Sequence, residues 1–159
     1  MITIYTDGSS RGNPGPGGWG AIVLDEARVI ELGGHEDHTT NNRMELSGAI
    51  EGLRYAGRLL DEPIELHTDS EYVMKGMTEW ISGWVKRGWK TAAKKPVLNQ
   101  DLWQELLKVS EGKQISWKYV AGHSGHDFNE RCDEIATSFA DDISIDLYNG
   151  PKSEYKVSL

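Results

Sequence analysis

The first forty residues alternate short runs of strand-forming residues with turn-forming clusters. ITIYT, WGAIVL and RVIELG are separated by stretches such as RGNPGPGG, a pattern that predicts an antiparallel meander. After His38 the period changes. Leu46, Ala49, Ile50, Leu53, Ala56 and Leu60 recur every three or four residues, the apolar stripe of an amphipathic helix that starts near Thr40. Pro63 then introduces IELHTD, a short strand that gives way to a helical pattern at Asp69. Helical spacing runs through SEYVMKGMTEWISGWVKRG, where Gly76, Gly83 and Gly88 predict short or bent helices, and returns in NQDLWQELLKVS. ISWKYV places Ile115, Trp117 and Tyr119 on one face of a fifth strand, and Asp127-Phe128-Asn129-Glu130 has the form of a capping box at the start of a last helix. This order predicts an α/β domain with a five-stranded mixed sheet, its first three strands antiparallel and the later two joined through helical crossovers. Past Asp141 the periodicity fades, so residues 1–141 are the expected domain and 142–159 a polar tail.

A chain of 159 residues suits one domain with a substantial core. Its single cysteine, Cys132, excludes an internal disulfide, and MITIYTDGSSRGNPG lacks the basic flank and apolar stretch of a signal peptide. No apolar run approaches the roughly 20 residues that span a bilayer. A cytoplasmic monomer with no membrane segment and no obligatory protein partner is expected. The net charge of −8 argues against a nucleic-acid partner until its distribution is considered. From Trp80 to Gln100 the chain carries Lys86, Arg87, Lys90, Lys94 and Lys95 and no acid, so a basic island of about residues 80–100 sits in an acidic protein. Five cations alone read as a solvated loop. Trp80, Trp84 and Trp89 interleave with them, and flat rings beside cations suit bases or sugars with their phosphates.

Four carboxylates fall at element junctions: Asp7, Glu45, Asp69 and Asp133. Each has a purely structural alternative. Asp7 could shape an Asp-Gly-Ser turn, Glu45 could complete a capping box with Asn42, Asp69 could cap the following helix, and Asp133 could be an exposed helix acid. If the four converge they repel one another unless cations intervene. Oxygen ligands without Cys or clustered His suit Mg2+ or Mn2+ over zinc. Two such ions about 4 Å apart would activate a water and stabilise the leaving oxygen of a phosphodiester.

The segments YTDGSSRGNPGPGGWGAI, TTNNRMEL, TDSEYV, WVKRGWKTAAKKPVLNQDLW and GHSGHDFNERCDEIA, in this order, resemble the bacterial type 1 ribonuclease H family from Ile4 to about Phe139. The resemblance implies a ribonuclease H-like fold and cleavage of the RNA strand of an RNA–DNA hybrid with two Mg2+ ions, leaving 5′-phosphate and 3′-hydroxyl ends. It also implies that Asp7, Glu45, Asp69 and Asp133 bind the metals and that His123 assists proton transfer and product departure. By the residues alone His126 is equally eligible for that role. The groove sensing ribose hydroxyls matches Asn13, Asn41 and Asn42, and a DNA-strand phosphate pocket matches Thr40 and Asn99. Trp80, Trp84 and the basic island match the protrusion that grips the DNA strand. Structural readings stay open beside these: the Asn pair as helix-start residues, and the two tryptophans as a packed face. Two positions depart from the family's usual pattern. Glu71 stands where glutamine is common, adding a negative charge beside the substrate groove, and Val85 stands where a lysine is often found.

Two other functions remain in view. Another metal-dependent nuclease of the same fold would share the carboxylates, since a fold does not fix a substrate. The basic island and the Asn pair argue against it. A non-catalytic hybrid-binding module would be expected to lose one or more of the acids, and all four are present.

Overall fold

The computed structural model describes residues 1–59, 61–121 and 127–156. Strands β1 (Ile2–Ser10), β2 (Gly15–Leu24) and β3 (Arg28–Thr39) form the predicted antiparallel meander. Helix α1 (Asn41–Ala56) leads to β4 (Ile64–Thr68), which lies parallel to β1. Helix α2 (Glu71–Lys75), a π-helical turn (Gly76–Trp80) and α3 (Ile81–Lys86) then run on without a break, followed by α4 (Gln100–Ser110). Strand β5 (Ile115–Tyr119) pairs parallel to β4, and α5 (Asp127–Ala140) follows.

The sheet has six strands, ordered β5-β4-β1-β2-β3-β6, where five were expected. The sixth, β6 (Asn149–Pro151), lies in the segment read as a polar tail and pairs antiparallel with Arg28–Ile30 of β3. Three residues containing Gly and Pro carry no strand periodicity. What holds them is tertiary: Ile145, Tyr148 and Tyr155 pack on the core beneath α5.

Alternation along the strands divides the core between the two faces of the sheet. Ile2, Ile4, Val23, Ile64 and Leu66 meet the stripe of α1 and Trp103 and Leu106 of α4 on one face. Ile22, Leu24 and Val29 meet Cys132 and Ile135 of α5 on the other. Leu60, the last residue of the predicted stripe, lies outside the described residues. Ile115 and Trp117 pack on the core as the alternation requires, whereas Tyr119, at the strand's end, is exposed. Gly76 sits where α2 passes into the π-helical turn, against the ring of Trp103, and a Cβ there would overlap that ring. Among the described residues no helix is long and apolar enough to cross a membrane.

Candidate active site

The parallel pairing of β1 with β4 aligns Thr6 with Thr68, so Asp7 and Asp69 emerge side by side. Helix α1 crosses β1 so closely that a Cβ on Gly8 would overlap the backbone of Met44 and Glu45. Glycine at that position therefore lets Glu45 reach over Asp7. On the opposite face Gly20 of β2 faces α5, where a Cβ would lie 2.8 Å from the Cys132 carbonyl oxygen. That approach brings Asp133 to the same edge, and all four carboxylates line one depression of about 410 Å3.

Asp7, Glu45 and Asp69 each offer a carboxylate oxygen, and the three oxygens lie within 4.8 Å of one another. Asp7 and Glu45 are 5% exposed, too little for water to screen their repulsion. The Gly8 N–H donates to Asp7 Oδ1 at 2.8 Å and also to Glu45 Oε1. Burial pushes the Asp7 carboxyl up to about 7, with the Asp69 and Asp133 charges adding to the rise and hydrogen bonds from Glu45 and Gly8 opposing it. Burial also raises Glu45 well above its ordinary value, aided by the adjacent Asp7. Asp69 is raised mainly by burial. Without a cation, burial and like charge therefore both favour the protonated form of the pair. No Lys, Arg or His is found among the described residues lining the depression. A hard divalent cation fits this donor set, because it supplies the missing positive charge to an all-oxygen site.

Local geometry decides against the structural alternatives for three of the acids. Asp7 lies inside β1 and forms no turn. Thr40 caps α1, its Oγ1 accepting from the Arg43 N–H at 3.3 Å, which leaves Glu45 too far along the helix to complete a capping box. Ser70 caps α2, its Oγ accepting from the Val73 N–H at 3.1 Å, so Asp69 is free of that task. Asp133 is only partly exposed and points into the depression.

Asn41, Asn42 and Glu71 line the same depression, joined by Ser9, Ser70 and Tyr72. Asn13 adjoins them, its Oδ1 accepting from the Asn41 N–H at 3.4 Å. Asn99 stands in the left-handed region with φ of 59°. Its Oδ1 accepts from Arg43 at 3.3 Å and its Nδ2 donates to the Tyr72 hydroxyl at 3.1 Å, which places it on the Thr40 side of the groove. Tyr72 and Arg43 went unnoticed in the sequence. Tyr72 takes its partners from α4 and the residue before it, 27 and 31 positions on, and no local pattern signals that.

The tryptophans form the packed face that their spacing allowed. Trp84 packs at 5.2 Å from Trp103 and 5.8 Å from Trp80, while Trp80 is 37% exposed at the end of the ladder. Lys86 ends α3, and Arg87, Lys90, Lys94 and Lys95 stand exposed on the loop that follows, away from the carboxylates. His123 and His126 lie outside the described residues.

A carboxylate cluster thus lies at the junction of two parallel strands, with a separate run of exposed cations, on a mixed sheet flanked by helices. The RNase H family model matches residues 1–141. The ribonuclease H of Chromohalobacter salexigens is 56% identical over 142 residues, covering 89% of this chain and 85% of its own. Among solved structures, LC9-RNase H1, a type 1 RNase H with the type 2 active-site motif, superposes with a TM-score of 0.81 at 32% identity, covering 94% of this chain and 77% of its own. LC11-RNase H1 in complex with RNA/DNA hybrid gives 0.69 at 25% identity, covering 89% and 98%. The chain belongs to the ribonuclease H family, whose members are endoribonucleases.

Proposed function

We propose that this chain hydrolyses the RNA strand of RNA–DNA hybrids endonucleolytically, using Asp7, Glu45, Asp69 and Asp133 to hold two Mg2+ ions, with Mn2+ as a substitute. The observation that carries this reading is the gathering of three mutually repelling carboxylates, two of them buried, with no cationic side chain among the described residues beside them. When bound, the metal pair supplies an activated water and charge neutralisation for the departing 3′-oxygen. The chain's own residues bind and aim the substrate. Asn13, Asn41 and Asn42 combine a donor and an acceptor on a short side chain, which suits a ribose 2′-OH that is itself both. Thr40 and Asn99 take a DNA-strand phosphate near the start of α1. Trp80, Trp84, Lys86, Arg87, Lys90, Lys94 and Lys95 hold the DNA strand farther along, so hybrid shape is read and base sequence is not. His123 assists proton transfer and product departure, as the family resemblance implies. The products carry 5′-phosphate and 3′-hydroxyl ends, the catalytic unit is residues 1–141, and the protein works as a cytoplasmic monomer.

Asp69→Asn tests the assignment, because it removes a ligand charge while keeping the side chain's shape. Cleavage of labelled hybrid should fall by about a thousandfold or more, with fold and hybrid binding largely intact. Near-normal turnover by the purified variant would refute the site.

A further inference from the structure

The segment after Asp141 lies beyond the matched family region, yet it is built into the molecule. It closes around a buried ion pair. Arg131 of α5 reaches Glu31 of β3 with two hydrogen bonds, Nε to Oε2 at 2.8 Å and Nη2 to Oε1 at 2.9 Å. Their side chains are 9% and 2% exposed. Arg131 Nη1 also donates to Glu134 of the same helix at 2.5 Å, and the C-terminal segment supplies the remaining partners. The Tyr155 hydroxyl donates to Glu31 Oε2 at 2.7 Å, the Tyr148 N–H donates to Oε1 at 2.9 Å, and the Asp146 carbonyl accepts from Arg131 at 2.9 Å. The Tyr155 ring also stacks parallel on Phe128 at 6.0 Å, and Phe128 stacks on Tyr5 at 4.9 Å.

Arg131 and Asp133 are two residues apart on one helix, so they project roughly 200° apart around its axis. Arg131 is tied to the β3 side while Asp133 faces the depression beside Asp7. A tie on one side of a helix fixes its roll, and the roll sets where a group on the other side points. Phe128, in the first turn of α5, is held by Tyr155 at the same time.

We propose that Tyr155 is a positioning residue for the active site: by completing the Glu31–Arg131 clamp and stacking on Phe128, it fixes the roll of α5 and so the placing of Asp133. The proposal rests on the reading that Asp133 is a metal-binding carboxylate. Hydrogen-bonded groups behind a ligand set its orientation, and their loss costs metal affinity on the order of tenfold. Tyr155 acts on the same terms, one step farther back.

The test compares the full-length parent with Tyr155→Ala, Tyr155→Phe and Tyr148→Phe. Two quantities are read: Mn2+ binding to the substrate-free protein, from the loss of the free-ion electron paramagnetic resonance signal, and the Mn2+ concentration at half-maximal hybrid cleavage. Tyr155→Ala should raise both by about threefold to tenfold, with the hybrid KM at saturating metal little changed, since the substrate groove and basic arm lie elsewhere. Tyr155→Phe keeps the stack and loses only the hydroxyl, so it should fall between parent and Ala. Tyr148→Phe removes a hydroxyl that donates to the Pro151 carbonyl within the segment itself. It should lower the melting temperature and leave Mn2+ binding as in the parent. If Tyr155→Ala does not fold, Tyr155→Phe decides alone, with parent-like Mn2+ binding overturning the proposal. Unchanged Mn2+ binding in a folded Tyr155→Ala, or equal weakening by Tyr148→Phe, also overturns it. A parent that binds no Mn2+ overturns the metal-site reading and this proposal together.

Discussion

At the scale of single residues the site is defined by an unfavourable arrangement that a proton or a cation relieves. The Asp7 carboxyl titrates near 7 in the folded protein and near 3.8 when unfolded. The folded state therefore binds more protons over that interval. Its contribution to stability is fully present below about pH 3.8 and is lost as pH rises through about 7. In chelator at pH 8, Asp7→Asn should be more stable than the parent to urea by up to about 4 kcal/mol, and the gain should vanish toward pH 4. Mg2+ should stabilise the parent and leave the variant nearly unaffected. A parent more stable than Asp7→Asn in chelator at pH 8 would show that the cluster is not strained. Glu71 carries a different charge effect. It is 68% exposed on the rim of the depression, with Lys75 3.9 Å away. Glu71→Gln should lower the hybrid KM by about two- to fivefold at low ionic strength, with the gain shrinking as salt is added. A gain indifferent to salt would assign Glu71 a hydrogen bond in place of a charge effect.

At the scale of elements, legibility in the sequence follows from whether a signal is local. The stripe from Leu46 to Ala56 records burial on one face of a helix, the strand-forming runs of β1 and β2 record burial within a sheet covered on both faces, and all three elements form where they were expected. The carboxylates were legible as candidates but not as a cluster. Their convergence depends on the β1–β4 register and on the close approach of α1 at Gly8, which are long-range facts. The cap assignments also turned on single hydroxyls: Thr40 and Ser70 take the roles that Asn42 and Asp69 were weighed for. β6 was not legible, because its three residues are held by pairing with Arg28–Ile30 of β3, and the residues around them by Glu31, Arg131 and the aromatic groups of distant elements. The basic stretch was read from composition; its five cations are exposed, Lys86 at the end of α3 and the rest on the loop that follows. Neutralising Lys86, Arg87, Lys90, Lys94 and Lys95 together should weaken hybrid binding and reduce the salt slope by about 0.7 to 0.9 for each phosphate that is no longer neutralised. An unchanged slope in a binding titration from low to moderate salt would return these residues to the solvated-loop reading.

At the scale of the whole molecule, the separation of charge matches the separation of tasks. A net charge of −8 would repel a nucleic acid, but five of the acids line one depression and the uninterrupted run of cations is placed on and after α3. Under the proposed function, a metal pair held there would turn the depression from repulsive to attractive, and substrate engagement and metal binding would reinforce one another. The mixed sheet makes this arrangement stable by packing α1 and α4 on one face and α5 on the other, with the C-terminal segment sealing the α5 side. The proposed function requires that this assembly cut RNA only when RNA is paired with DNA and only when divalent metal is present. Its most direct test is to incubate the purified protein with end-labelled RNA–DNA hybrid, single-stranded RNA, double-stranded RNA and double-stranded DNA, each with Mg2+ or with chelator. Internal cleavage of the RNA strand of the hybrid alone, abolished by chelator, is the predicted result. Cleavage that persists in chelator, or comparable cleavage of single-stranded RNA or of duplex DNA, would contradict it.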